Sequence, residues 1–200
     1  MNLSDLASTL DQLKESSILQ ERPLLDSLLL STRDDDLRFI VPVLAGEIPG
    51  EVGPITPGTA RKGISMAFGL STNQLDREFR RLGTLPEVAS HQAEKRSQTR
   101  LCANGRAINS VLRELRAALS GKASERTRVA GLCNLMTGSS PSSVRLILKV
   151  LLGHSTAYVR KNVLIDCLAT RIEKDPKIIR ELVDSKGWSA SLEELLSGPS

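Results

Sequence analysis

Apolar residues in this chain recur at spacings of three and four and seldom at two, a period that confines the fold to helices. Leu3, Leu6, Leu10 and Leu13 form a first stripe, and Leu24, Leu25, Leu28 and Leu29 form a second behind Pro23, a residue suited to a first helical turn. A third stripe, Leu37, Ile40, Val41 and Leu44, follows Asp34, Asp35 and Asp36, whose carboxylates favour the positive end of a helix dipole. Pro42 inside that stripe predicts a kink or a break. From residue 104 one design repeats four times, a small polar residue followed by an amphipathic run. Asn104 precedes Ile108, Val111, Leu112 and Leu115; Ser124 precedes Val129, Leu132 and Met136; Ser140 precedes Val144, Ile147 and Leu151; Ser155 and Thr156 precede Val159, Val163, Leu164 and Leu168. Such residues cap the free amides at a helix entrance. The expected fold is all-α, with about 10–12 helices and no sheet.

Two stretches break the pattern. Residues 46–58 (GEIPGEVGPITPG) hold four glycines and three prolines and read as a loop. Residues 91–100 (HQAEKRSQTR) have Ala93 as their one apolar residue and are expected to separate two helical subdomains, 1–90 and 101–200, of one domain. Cys102, Cys133 and Cys167 are far apart in apolar surroundings and read as reduced core thiols, with no metal site. No run approaches the roughly 18 apolar residues of a membrane span, and the acidic amino terminus lacks the features of a signal peptide. These features predict an intracellular protein with no membrane partner, nuclear in a eukaryote and cytoplasmic otherwise.

Charge is unevenly placed. Residues 91–180 carry 17 Lys/Arg against 6 Asp/Glu, a net of +11, whereas residues 1–90 carry 9 against 13 and residues 181–200 carry 1 against 4. A concentration of cations attracts polyanions, and phosphates neutralised by them release counterions. With Phe39, Phe68, Phe79, Tyr158 and Trp188 as the whole aromatic set, platforms for stacking single-stranded bases are scarce, so a duplex backbone is the expected target. A helical protein-interaction scaffold that meets an acidic partner is the alternative.

Three turns combine small residues, cations and a helix start, where unpaired N–H groups favour phosphate. The first is Ser120, Gly121, Lys122 and Ser124 with Arg126 and Arg128. The second is Gly153, His154 and Thr156 with Arg160 and Lys161. The third, after the Gly/Pro loop, is Thr59, Arg61 and Lys62. The first is equally compatible with a capped turn between packed helices, the second carries little weight alone, and for the third a plain connecting loop is the favoured reading. Nucleotide-hydrolase loops, His/Cys metal spacings and G-x-S-x-G elbows are missing from the sequence, so the chain is not expected to be an enzyme by itself.

Read in order, four segments resemble the amino-terminal DNA-binding domain of ATP-dependent DNA ligases: Val43-Leu44-Ala45-Gly46-Glu47-Ile48-Pro49, Leu82-Gly83-Thr84-Leu85-Pro86-Glu87-Val88-Ala89, Ser120-Gly121-Lys122-Ala123-Ser124 with Arg126 and Arg128, and Leu151-Leu152-Gly153 through Val163-Leu164-Ile165-Asp166-Cys167-Leu168-Ala169. The resemblance spans roughly residues 1–185. It implies an all-helical domain lying across the minor groove of double-stranded or nicked DNA, positioned by phosphate and sugar contacts with little base reading. By position it assigns contacts to Ser120, Gly121, Lys122, Ser124 and Arg126 at one turn and to Gly153, His154 and Thr156 at the other. His154, Thr156 and Tyr158 stand where the family usually has basic residues and a second glycine. The K-x-D-G setting of the family's AMP-carrying lysine occurs nowhere in the sequence. The resemblance therefore implies no cofactor for this chain, with ATP and magnesium belonging to an associated catalytic domain, in the same polypeptide or in another.

Overall fold

The computed structural model describes residues 1–50, 52–97, 107–119, 123–154 and 157–197, with only the backbone at 18, 19 and 97. Regular structure among them is helical: α1 (Leu3–Glu15), α2 (Ile18–Leu30), α3 (Asp34–Leu44), α4 (Pro57–Phe68), α5 (Thr72–Leu82), α6 (Leu85–Ser97), α7 (Ile108–Leu119), α8 (Glu125–Thr137), α9 (Pro141–Leu151), α10 (Lys161–Ile172) and α11 (Pro176–Leu196). The described residues contain no strand; Asn2 and Ala107 form an isolated antiparallel bridge. No helix among them is long and apolar enough to cross a membrane.

The chain divides into two compact units. One comprises Met1, Ser8–Gly50 and Ser155–Ser200, the other Asn2–Ala7 and Glu51–His154. The expected separation at residues 91–100 differs from this, and the reason is visible in α6. That helix continues to Ser97, buries Gln92 and Ala93, and packs against α9 from beyond the expected boundary. Residues 91–97 of the expected boundary are thus helical, and residues 98–100 lie outside the described residues.

In the first unit α10 packs on α2, and α11 on α3 and α10. Leu10, Leu13, Leu25, Leu29, Leu37, Phe39, Ile40, Leu44, Leu164, Leu168, Ile179, Trp188 and Leu192 are buried in this unit. Pro23 does not open α2. Ser17 and Gln20 form the capping box, so the helix starts at Ile18 and Pro23 lies inside it. Pro42 likewise stays within α3, close enough to the end that the helix runs on to Leu44. Arg171 joins α10 to the end of α2, donating to the Leu29 carbonyl at 3.1 Å, the Thr32 carbonyl at 3.1 Å and Asp34 at 2.8 Å. A guanidinium there answers carbonyls that α2 leaves free. The two halves of α11 part at Gly187 (φ 76°), where Glu47 accepts from the Trp188 N–H at 3.2 Å.

In the second unit α4 and α7 pack on α8, α6 packs on α9, and α5 lies against α6 and α4. The α4–α8 and α7–α8 contacts depend on glycine. A Cβ on Gly63 would lie 3.1 Å from Leu132 Cβ, and one on Gly131 would lie 2.2 Å from Ala118 Cβ. Side chains at these points would force the helices apart.

Candidate nucleic-acid interface

Two helix entrances stand side by side in the second unit. Thr56 caps α4, its hydroxyl accepting from the Thr59 N–H at 3.1 Å, with Pro57 at the first helical position. Ser124 caps α8 in the same way, accepting from the Thr127 N–H at 3.1 Å. Each cap is worth about 1 kcal/mol. Near the start of both helices the Thr59 hydroxyl meets both carboxylate oxygens of Glu125, at 3.1 and 3.0 Å; farther along both, Gly63 meets Leu132 and Met136. The helices therefore run parallel, with their amide-rich ends together.

Two other element ends reach the same place. The Leu151 carbonyl at the end of α9 accepts from the Ile55 N–H at 3.0 Å, and the Leu119 carbonyl at the end of α7 lies against Gly53. Val52 and Ile55 are buried, so this part of the Gly/Pro loop is seated between α7 and α9. Turns far apart in sequence, 56–62, 123–128 and 151–154, are thus brought to one end of this unit.

The predicted residues differ in what they have free to offer. Thr59 is only 3% exposed and its hydroxyl is engaged by Glu125, so it serves the α4–α8 joint. Lys62 is exposed, with Nζ 3.4 Å from Glu125 Oε1. Arg61 is ion-paired with Asp76 and lies 5.7 Å from the Phe79 ring centre. Arg126 is exposed and has no ion pair among the described residues. Arg128 is half-buried and donates from Nε to the Ala123 carbonyl at 3.2 Å, closing the turn before α8. Gly153 (φ 67°) and His154 end α9 by returning their N–H groups to the Val150 and Lys149 carbonyls, at 3.1 and 2.9 Å. This is a left-handed helix stop that suits glycine, and the His154 side chain is exposed. Ser120, Gly121, Lys122 and Thr156 lie outside the described residues.

Arg160 and Lys161 belong to the first unit, and both are engaged. The expected helix entrance at Ser155 and Thr156 is displaced, with α10 starting at Lys161 and Arg160 in the capping position. Glu21 supplies the missing cap. It accepts from the Arg160 backbone N–H at 2.9 Å, from Nε at 3.0 Å and from Nη2 at 2.9 Å, while Lys161 pairs with Asp184. Sequence reasoning missed Glu21 and Glu125, since each acts on a residue brought near by the fold. Glu125 gave one signal, an acidic residue in a first helical turn.

Among the described residues no group of three or more His, Cys, Asp or Glu side chains is placed to hold a metal ion. What the second unit assembles is one end with two capped helix starts and the exposed cations Lys62 and Arg126.

Comparison with known proteins gives the class: the chain belongs to the family described as DNA ligase N terminus, matched over residues 2–169. It is similar to the DNA ligase of Cenarchaeum symbiosum (strain A), 27% identical over 176 residues, which cover 84% of this chain and 30% of that protein. It is also similar to the DNA ligase of Nitrosopumilus maritimus (strain SCM1), 26% identical over 176 residues with the same coverage, and to that of Methanothrix thermoacetophila, 27% identical over 161 residues. The chain spans about 30% of the length of the curated relatives it matches.

Proposed function

We propose that this chain binds double-stranded or nicked DNA without reading its sequence, through phosphate and minor-groove sugar contacts, as the DNA-holding part of a ligase. The adenylating lysine, ATP and magnesium then belong to a catalytic domain of the same polypeptide. The observation that carries this reading is the parallel pairing of the α4 and α8 entrances, with Lys62 and Arg126 exposed beside them. Helix starts favour phosphate before any side chain acts, and surface cations add charge without base selectivity. Ser124 and Arg126 are the contacts of first choice, with Lys122, two residues before Ser124 in the sequence, and Lys62, which faces Glu125, as further candidates. His154 is a secondary one at the same end of the unit, and Gly153 shapes its turn.

Titrating the chain against labelled nicked duplex between roughly 50 and 200 mM salt tests the reading, with a log–log slope of about −0.9 for each phosphate contact as the expected result. Absence of binding at low salt, or affinity indifferent to salt, overturns it. The reading as a scaffold for an acidic protein draws on the many cations already matched by carboxylates, as at Arg61, Arg160 and Lys161. It predicts that an acidic peptide displaces duplex DNA at equal charge concentration.

A further inference from the structure

We infer that α5 supplies a second phosphate-binding strip, formed by Arg77 and Arg80, beyond the helix entrances themselves. This inference rests on the DNA-binding reading above and extends it to a helix from the half of the sequence that is acidic overall. Cations on a folded surface are of two kinds, those already answered by a carboxylate of the same chain and those left for a partner. In the second unit Lys62 faces Glu125, Arg61 faces Asp76 and Lys149 faces Glu87, while Arg81 and Lys95 share Glu78 at 2.5 and 3.9 Å. The hydrogen bond from Arg81, ahead of the charge of Lys95, holds the Glu78 carboxyl below its ordinary range, so that carboxylate is fully engaged. Arg77 and Arg80 are both exposed and have no ion pair or hydrogen bond to the described residues.

Their position makes them more than stray surface charges. Three residues apart on a helix, they lie on one face with Cβ atoms roughly 5–6 Å apart. Long side chains from such a pair reach neighbouring phosphates of a strand that carries one charge per roughly 3.4 Å of axis. They also flank Asp76 and Phe79, the residues that hold Arg61, so α5 is fixed against the first turns of α4. On α4, Arg61 lies two residues from Thr59, about 200° around a helix of 3.6 residues per turn, and so faces away from α8. Arg77 and Arg80 thus border one side of α4 and Arg126 borders the other. Two interhelical spacings of 8–10 Å put the strips roughly 16–20 Å apart. That is too far to grip one phosphate and suits separate segments of one duplex.

The test compares the wild-type chain with Arg77→Ala/Arg80→Ala on nicked duplex across a salt series. A charge-matched control, Arg22→Ala/Lys186→Ala, removes two cations that already have partners, Asp26 and Glu194. The expected result is binding about five- to tenfold weaker for the α5 variant and a salt slope shallower by about 1.8, two contacts' worth, with less than twofold change for the control. Far-UV circular dichroism should be unaltered, since both side chains are exposed. Wild-type binding with an unchanged α5 variant overturns this inference alone, as does an equal loss in the control. Absence of wild-type binding overturns the DNA-binding reading together with it.

Discussion

The entrances of α8 and α10 look alike in sequence, each with small hydroxyl residues followed by two cations, and they differ in the structure. At α8 the cap is local, Ser124 to Thr127, and Arg126 is left exposed. At α10 the cap comes from Glu21 on another helix, and that carboxylate also takes the Arg160 guanidinium, while Lys161 turns to Asp184. A cation near a helix start is open to a phosphate only when no carboxylate has been folded onto it. At the α10 entrance both cations are paired within the chain, whereas at the α8 entrance Arg126 is exposed.

The sharpest way to break this contrast is at Glu21, whose side chain is 10% exposed and satisfies three donors of Arg160. Glu21→Ala should lower the unfolding free energy by about 2–3 kcal/mol, short of a fully buried pair because half of Arg160 reaches solvent; a denaturant midpoint equal to wild type would count against the joint. Next in size, Arg126→Ala/Arg128→Ala should weaken duplex binding about tenfold, or about 1.4 kcal/mol, whereas Arg160→Ala/Lys161→Ala should change it less than twofold. Equal losses in the two variants, measured by fluorescence anisotropy, would erase the distinction. Ser124→Ala should cost about 1 kcal/mol of stability, seen by thermal denaturation, since the Ser124 hydroxyl is the acceptor for the Thr127 N–H.

A further effect is confined to alkaline solution and absent near neutral pH. Burial first, and then hydrogen bonding and charge from Asp26, push the Cys167 thiol up from 9.0 to about 12. The folded chain keeps a proton that the unfolded chain releases, so this contribution to stability is whole below about pH 9 and is lost as pH rises toward 12. Urea midpoints should fall across that window in the wild type and fall less steeply in Cys167→Ala.

What could be read from the sequence was local. The stripes of α1 and α3, the caps at Ser124 and Ser140, and the irregular tract before α4 all follow from residues within a few positions of one another, and each is present. The contacts that could not be read there depended on distance. The bond from Thr59 to Glu125 joins residues 66 apart, and that from Arg160 to Glu21 joins residues 139 apart. No spacing rule foretells such a pairing. Residues 91–97 are polar in composition yet helical, with Gln92 and Ala93 buried, a packing that apolar periodicity does not register. Pro23 misled because a capping box upstream had already begun the helix.

The single bond from the Ile55 N–H to the Leu151 carbonyl gives the Gly/Pro tract an unexpected character. With Val52 and Ile55 seated and Thr56 fixed as the cap, the tract is a gauge rather than a tether. Inserting one residue between Ile55 and Thr56 would offset the beginning of α4 by up to roughly 3.3–3.6 Å of extended chain. Deleting one would draw it in by as much. Thr59 would no longer align with Glu125, so evolution can relabel the residues in this short span more easily than it can recount them.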